Sequence, residues 1–248
     1  MSPRLAFALE AVHRAGRLTL SHFQTGIGIE TKADGSPVTL ADKGAERLIR
    51  DMIAGAFPGE DILGEEEGGA IGGTGWVIDP IDGTKSFVCG VPLYATLLSY
   101  EVEGNPIVGV CGFPALGEVV FAESGAGAYW NGRACRVSKT DQLEQATISS
   151  GSQFSMNKYG RAEGHWKLIQ RSKIARTWSD AYGHALVATG RADAMIDPIV
   201  APWDISAMRI IVSEAGGRCT DFAGGRPADE MISSNGRLHD AILEAFRG

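Results

Sequence analysis

The stretch "GWVIDPIDGTKSFVCGVPLYATL" (Gly75–Leu97) decides how the chain is read. Trp76, Val77 and Ile78 form a short apolar run, consistent with a buried strand. The run ends in two acids, Asp79 and Asp82, separated by Pro80 and Ile81. Proline has no backbone N–H, so Pro80 is expected to end the ladder and free the Ile81 carbonyl to point elsewhere. In open sheets, ligands gather at the carboxyl ends of strands. Two carboxylates and a carbonyl are hard oxygen donors, the set that suits Mg2+. Gly83, Thr84, Lys85 and Ser86 follow, and can open a helix or nest whose N–H groups face an anion. Asp-Pro and Asp-Gly are also common turn pairs, so on this stretch alone a plain turn stays open.

More acids surround this stretch in the sequence. "GEEEG" sets Glu65, Glu66 and Glu67 in a loop after a short strand at Asp61–Leu63, which lets Glu65 reach the same strand-end surface. "PWDISAMRIIVSEAGG" places Asp204 at a helix start, with Ile205, Met208, Ile211 and Val212 as its buried stripe and Gly216 as its stop. As a helix N-cap, Asp204 has a purely structural explanation. Asp42 is equally open: Thr39 is the expected N-cap of a helix starting near Leu40, and Asp42 completes a capping box.

Working outward, residues 4–23 read as an amphipathic helix carrying Leu5, Leu9, Val12 and Gly16 on one side, not a signal peptide. "IGIETKADGSPVT" (27–39) reads as a hairpin or extended segment. Three β-rich runs between Tyr94 and Glu123 are split by "EGNP" and "PALG", and "YWNGR" marks a hairpin. Beyond about residue 140, strands at 147–150, 174–177, 194–197 and 231–234 alternate with helices near 163–171, 179–189, 204–215 and 236–247. The expected fold class is therefore α/β: an α+β N-terminal half (1–140) carrying the acid motifs, and an α/β C-terminal half (141–248). The two form one compact unit over 1–248 around a shared cleft.

Composition narrows the function. The chain has 248 residues and a formal charge of -7, with no basic stripe of the kind nucleic acid or an acidic membrane would require. A small anionic substrate stays open, because bound metal can invert the sign of a site. No apolar run is long enough to cross a bilayer. Four scattered cysteines without a C-x-x-C pair fit a reducing cytoplasm and signal no zinc site. The five histidines lack metal-ligand spacing. Lys32 is read by default as solvated, with holding the Asp42 loop as its alternative; Lys85 stands near the phosphate cradle and could equally pair with the acid cluster.

Taken together, "GEE", "WVIDPIDGTKSF" and "WDISAMRIIVSEAGG" resemble, in order, the three signatures of the inositol monophosphatase superfamily of Mg2+-dependent, lithium-sensitive phosphatases. The resemblance implies a layered αβαβα sandwich, usually a homodimer. It implies two to three Mg2+ ions: one on Glu65, Asp79 and the Ile81 carbonyl, a second on Asp79, Asp82 and Asp204, and a weaker third sharing Glu65, with Asp42 acting through water. Gly83 and Thr84 would give N–H groups to the phosphate, and the Thr84 hydroxyl would orient the attacking water. One branch of the superfamily also serves as a protein partner of the transcription machinery.

The leaving group is read from two spare acids. "RTWSDAYG" and "DPIVAPWD" resemble the histidinol-phosphate phosphatases of the inositol-monophosphatase type. There Asp180 and Asp197 would pair with the ammonium and imidazole of L-histidinol phosphate; Trp178 would pack on the imidazole or, equally, serve as a buried aromatic of the core. In inositol phosphatases the position matching Asp180 is small and neutral, while that matching Asp197 binds a sugar hydroxyl. His184 departs from the aromatic expected after "DAYG". The broader alternative is inositol 1-phosphate or another polyol phosphate.

Overall fold

The computed structural model describes residues 1–26, 28–31, 37–178 and 180–247. The chain opens with helix α1 (Pro3–His22), a small antiparallel pair β1 (Ile29–Thr31) and β2 (Pro37–Thr39), and helix α2 (Leu40–Ala56). The tip of the expected 27–39 hairpin, with Lys32, lies outside the described residues. Next come β3 (Ile62–Gly64), β4 (Gly68–Gly69), β5 (Gly75–Asp82) and a five-residue helix α3 (Thr84–Val88). A meander follows: β6 (Ala95–Val102), β7 (Asn105–Phe113), β8 (Glu118–Glu123), β9 (Gly127–Trp130) and β10 (Arg133–Cys135). The C-terminal half runs β11 (Thr147–Ser150), α4 (Gln153–Lys158), α5 (Ala162–Arg171), β12 (Ile174–Arg176), α6 (Asp180–Ala188) and β13 (Ala194–Asp197). It closes with α7 (Pro202–Glu214), β14 (Arg218–Thr220), β15 (Met231–Ser234) and α8 (His239–Phe246).

Two sheets result. The first has eight strands in the order β10-β9-β8-β7-β6-β5-β3-β4, and the second has five in the order β12-β11-β13-β15-β14. Alternation along the strands of the first sheet serves two cores, one on each face. Leu98, Tyr100, Val108 and Val110 face α1 and α2, whereas Ala95, Leu97, Cys111 and Phe113 face α6 and α7. The second sheet presents Met195 and Met231 to the same middle helices. Its other face packs Ile148, Ile196 and Ile232 on Met156, Leu168 and Ile242 of α4, α5 and α8. The layers are therefore αβαβα, as expected.

Three local expectations are corrected. Pro80 does not end the strand: β5 runs on to Asp82, with a register shift against β6 between Asp79 and Asp82. Pairing with β3 stops at Ile78, so beyond it β5 has a single partner, and a proline is tolerated at such a bulge. Asp204 is not the N-cap of α7. That position is Ala201, and Asp204 sits in the first turn, where its Oδ2 accepts from the Ala201 N–H at 2.7 Å. The short helix α4 and strand β14 were not anticipated; each is too short to carry a periodic signal of its own.

Candidate active site

The middle helices, the end of β5 and the loop after β3 meet at one end of the sandwich. Asp79, Asp82 and Asp204 each bring a carboxylate oxygen into a group spanning no more than 4.8 Å. Asp79 is 1% exposed, and its Oδ1 has no hydrogen-bond partner among the described residues. A buried, unpartnered carboxylate oxygen is costly unless a cation joins it. Burial pushes the Asp79 carboxyl well above the usual carboxylate range, and the charges of Glu65, Asp82 and Asp204 push further. Asp204 is raised to about 7, first by burial and against the opposing pull of the Ala201 N–H. Acids that cannot all ionise side by side, with an oxygen left over, are what a hard divalent cation fits.

Asp42 and Asp204 each make their capping contacts through one oxygen, Oδ2. Asp42 Oδ2 takes the Thr39 N–H at 2.8 Å and the Thr39 hydroxyl at 2.5 Å. Its Oδ1 lies 3.5 Å from the Thr84 hydroxyl, which donates to the Ile81 carbonyl at 3.1 Å. The Ile81 carbonyl thus takes a side-chain hydroxyl within the segment where β5 shifts register against β6. Gly83 takes φ +79, a region that L side chains avoid, and a Cβ there would meet Asp180 Oδ2 at 3.0 Å. Only glycine lets the Thr84 turn and the start of α6 approach so closely.

Glu65 is held by an anchor that the sequence did not reveal. Glu46, on the buried face of α2, is 0% exposed. Its Oε2 accepts from the Glu66 N–H at 2.7 Å, and its Oε1 from the Glu67 N–H at 3.0 Å and Arg50 Nε at 2.8 Å. The carboxylate passes where a Cβ on Gly64 would stand, 2.2 Å from Oε1. The Glu65 N–H meanwhile reaches the Ile78 carbonyl at 3.3 Å, fixing this residue beside Asp79. The signal that could have found Glu46 is an acid on the apolar face of a helix, four residues before Arg50.

Two adjoining cavities open on the acids. The smaller, about 160 Å³, is lined by Glu65, Asp79, Ile81, Gly83 and Thr84. The larger, about 260 Å³, is lined by Ser152, Ser155, Ala181, His184, Asp197 and Ile199. Asp82, Lys85, Asp180 and Asp204 border both. Asp180 opens α6 with φ 58, a left-handed conformation that aspartate tolerates better than most. The next N–H, that of Ala181, donates to Asp82 Oδ2 at 2.6 Å and ties α6 to the acid cluster. Asp197, at the end of β13, is raised well above the usual range by burial and by the charges of Asp180 and Asp204.

Trp178 is partly buried beside the middle helices. It lines neither cavity; it packs against the middle-layer core, and its carbonyl accepts from Ser149 Oγ at 2.7 Å. His184 does reach the larger cavity wall, with Nδ1 2.8 Å from Ser233 Oγ and a pKa lowered by burial to about 3, so the ring is neutral. Ser152 and Ser155, also on that wall, carried no sequence signal because α4 was not foreseen.

Comparison with known proteins agrees with this geometry. The family model of the inositol monophosphatase family matches residues 1–248. A histidinol-phosphatase of Chlorobaculum parvum is 40% identical, over 99% of this chain and 97% of its own length. The Nus factor SuhB of Escherichia coli is 33% identical, over 100% and 97%. Among solved structures, an inositol monophosphatase of Thermotoga maritima superposes with a TM-score of 0.92 at 36% identity, covering 99% of this chain and 97% of that one. Full-length agreement in sequence and fold means that the chain belongs to the inositol monophosphatase family.

Proposed function

We propose that this protein hydrolyses L-histidinol phosphate to L-histidinol and inorganic phosphate in a Mg2+-dependent reaction, as a step of histidine biosynthesis. One observation carries the choice of substrate. The cavity beside the acid cluster is walled by Asp82, Asp180, Asp197 and Asp204, against a single exposed lysine, Lys85, among its described lining residues. A leaving group bearing an ammonium and an imidazole supplies the charge that this wall lacks. The name of the Chlorobaculum parvum relative points the same way.

The residues divide the work. Glu65, Asp79, Asp82 and Asp204, with the Ile81 carbonyl, would hold two ions, and a third would share Glu65 with Asp42 acting through water. Bound there, Mg2+ would acidify water for attack at neutral pH and neutralise charge on the phosphoryl group and departing alkoxide. The N–H groups of Gly83 and Thr84 would hold the phosphoryl oxygens. Thr84 Oγ, already poised between Asp42 Oδ1 and the Ile81 carbonyl, would orient the attacking water. Asp180 and Asp197 would fix the cationic leaving group, leaving the phosphorus in line. On this reading the chain is one catalytic unit over 1–248, a cytoplasmic and lithium-sensitive homodimer. Family resemblance and four free cysteines support that reading, as does the lack, among the described residues, of any helix long and apolar enough to span a membrane.

The test is Asp180→Ala and Asp197→Ala, assayed on L-histidinol phosphate and on a neutral monoester. Losing one charge-assisted contact, about 1.5–3 kcal/mol, raises KM for the cationic ester roughly 10- to 100-fold, with little change for the neutral one. Equal effects on both esters would refute the pairing. A second reading, a polyol phosphate such as inositol 1-phosphate, is favoured by Ser152 and Ser155 on the cavity wall, which offer hydroxyl partners to a neutral sugar. A non-catalytic role as partner of the transcription machinery draws support from the name of the Escherichia coli relative; capture of that machinery from extract by an Asp79→Asn variant would favour it.

A further inference from the structure

A third cavity, about 450 Å³, lies between the β6–β7 end of the first sheet and the outer side of α7. Asn105, Ser124, Arg209, Ser213 and Arg226 line it, and it shares no lining residue with the two cavities at the acid cluster. Arg209 is the unusual member. Its side chain is only 16% exposed, yet it donates no hydrogen bond to any described residue. Its nearest carboxylate oxygen, Glu101 Oε1, stands 3.9 Å away and already takes the Ser206 hydroxyl at 2.6 Å. Among the described residues no Arg209 nitrogen is both buried and unpartnered, so its donors stay accessible, and Arg209 lines this cavity.

A second guanidinium adds to the first. Arg226 borders the same cavity and is pinned by donation from Nη2 to the Gly104 carbonyl. The like charge of Arg226, after burial, lowers the affinity of Arg209 for its proton. The one acid among the described lining residues, Glu214, has both oxygens engaged by the Gly125 and Gly127 N–H groups at 2.8 Å each. Two fixed guanidinium groups, two serine hydroxyls and an amide around one space match a tetrahedral oxyanion.

We propose that Arg209 and Arg226 form a binding site for a small phosphate-class oxyanion, separate from the acid cluster. The anion is either free inorganic phosphate or the phosphoryl group of a monoester. The proposal does not depend on the substrate reading above, because neither arginine borders the acid-lined cavities.

The experiment is equilibrium dialysis of the full chain with radiolabelled inorganic phosphate, with Mg2+ and with EDTA. Without metal, the acid cluster repels phosphate, so binding that survives EDTA reports the arginine site. The expected result is one EDTA-resistant site that weakens with salt and at least tenfold in Arg209→Met and in Arg226→Met, with Mg2+-dependent phosphatase activity unchanged. Competition in EDTA by inorganic phosphate against L-histidinol phosphate distinguishes the two sources. If Arg209→Met fails to fold, the exposed Arg226→Met decides alone. No EDTA-resistant binding in the wild type, or unchanged binding in folded Arg226→Met, overturns the proposal.

Discussion

Replacing Glu46 with glutamine tests how the acid loop is held, without touching any residue assigned to the metal or the substrate. The carboxylate accepts from two loop N–H groups, at 2.7 and 3.0 Å, and from Arg50 at 2.8 Å. An amide keeps one acceptor oxygen and sets an NH2 group against a donor. One charge-assisted bond is lost, worth about 1.5–3 kcal/mol, and Arg50 loses its buried partner, so a total near 2–4 kcal/mol is expected. For a chain of this size each kcal/mol shifts Tm by roughly 2–4 °C, giving a drop of about 5–15 °C. The functional effect is separable from the structural one. Glu65 directly precedes the two anchored N–H groups, so the loop would lose its fixed position and Mg2+ affinity would fall about 10- to 100-fold, in line with other residues that orient metal ligands. Titrating Mg2+ at fixed substrate measures that affinity, and KM at saturating Mg2+ should change little. A variant with a lowered Tm but the wild-type Mg2+ dependence would refute the idea that Glu46 positions Glu65.

Three further outcomes follow from the same geometry. Thr84→Val removes the hydroxyl between Asp42 and the Ile81 carbonyl; kcat should fall about 10²- to 10⁴-fold with KM nearly unchanged, and a rise in KM alone would contradict the role given to that hydroxyl. Gly83→Ala forces a side chain into φ +79 and against Asp180, so activity should be lost on every monoester at saturating Mg2+, whereas a variant of near-normal kcat would show that the close approach is dispensable. The acids raised in the folded state bind protons more tightly there than in the unfolded chain, so their contribution to stability is full below the unfolded value and lost as pH rises through the folded one. For Asp204, raised from 3.8 to about 7, that is on the order of 4 kcal/mol lost across this window. The Tm of EDTA-treated protein should therefore fall by roughly 10 °C between pH 5 and 8, a slope that Mg2+ flattens; a flat profile in EDTA would contradict the crowding of these acids.

The fold was legible where short-range chemistry dictates it. Strands Thr147–Ser150, Ala194–Asp197 and Met231–Ser234 stand where the apolar runs placed them, and the Asn131-Gly132 turn closes the β9–β10 hairpin. The acids of the Asp79 strand end were legible as a group because each lies at the end of a recognisable element. What stayed hidden depends on partners distant in sequence. Pro80 reads as a terminator until β3 is seen to leave one edge of β5 unpaired at Ile78. Glu46 reads as an ordinary helical acid until the loop twenty residues on folds over it. Trp178 was assigned to the leaving group on resemblance; its ring is partly buried and packs against the middle-layer core.

The most direct measurement is phosphate release by the purified protein from L-histidinol phosphate and from inositol 1-phosphate, each with Mg2+ and with EDTA. The account predicts release that requires Mg2+ and strongly favours the cationic ester. Release that persists in EDTA, or a preference for inositol 1-phosphate, would contradict it.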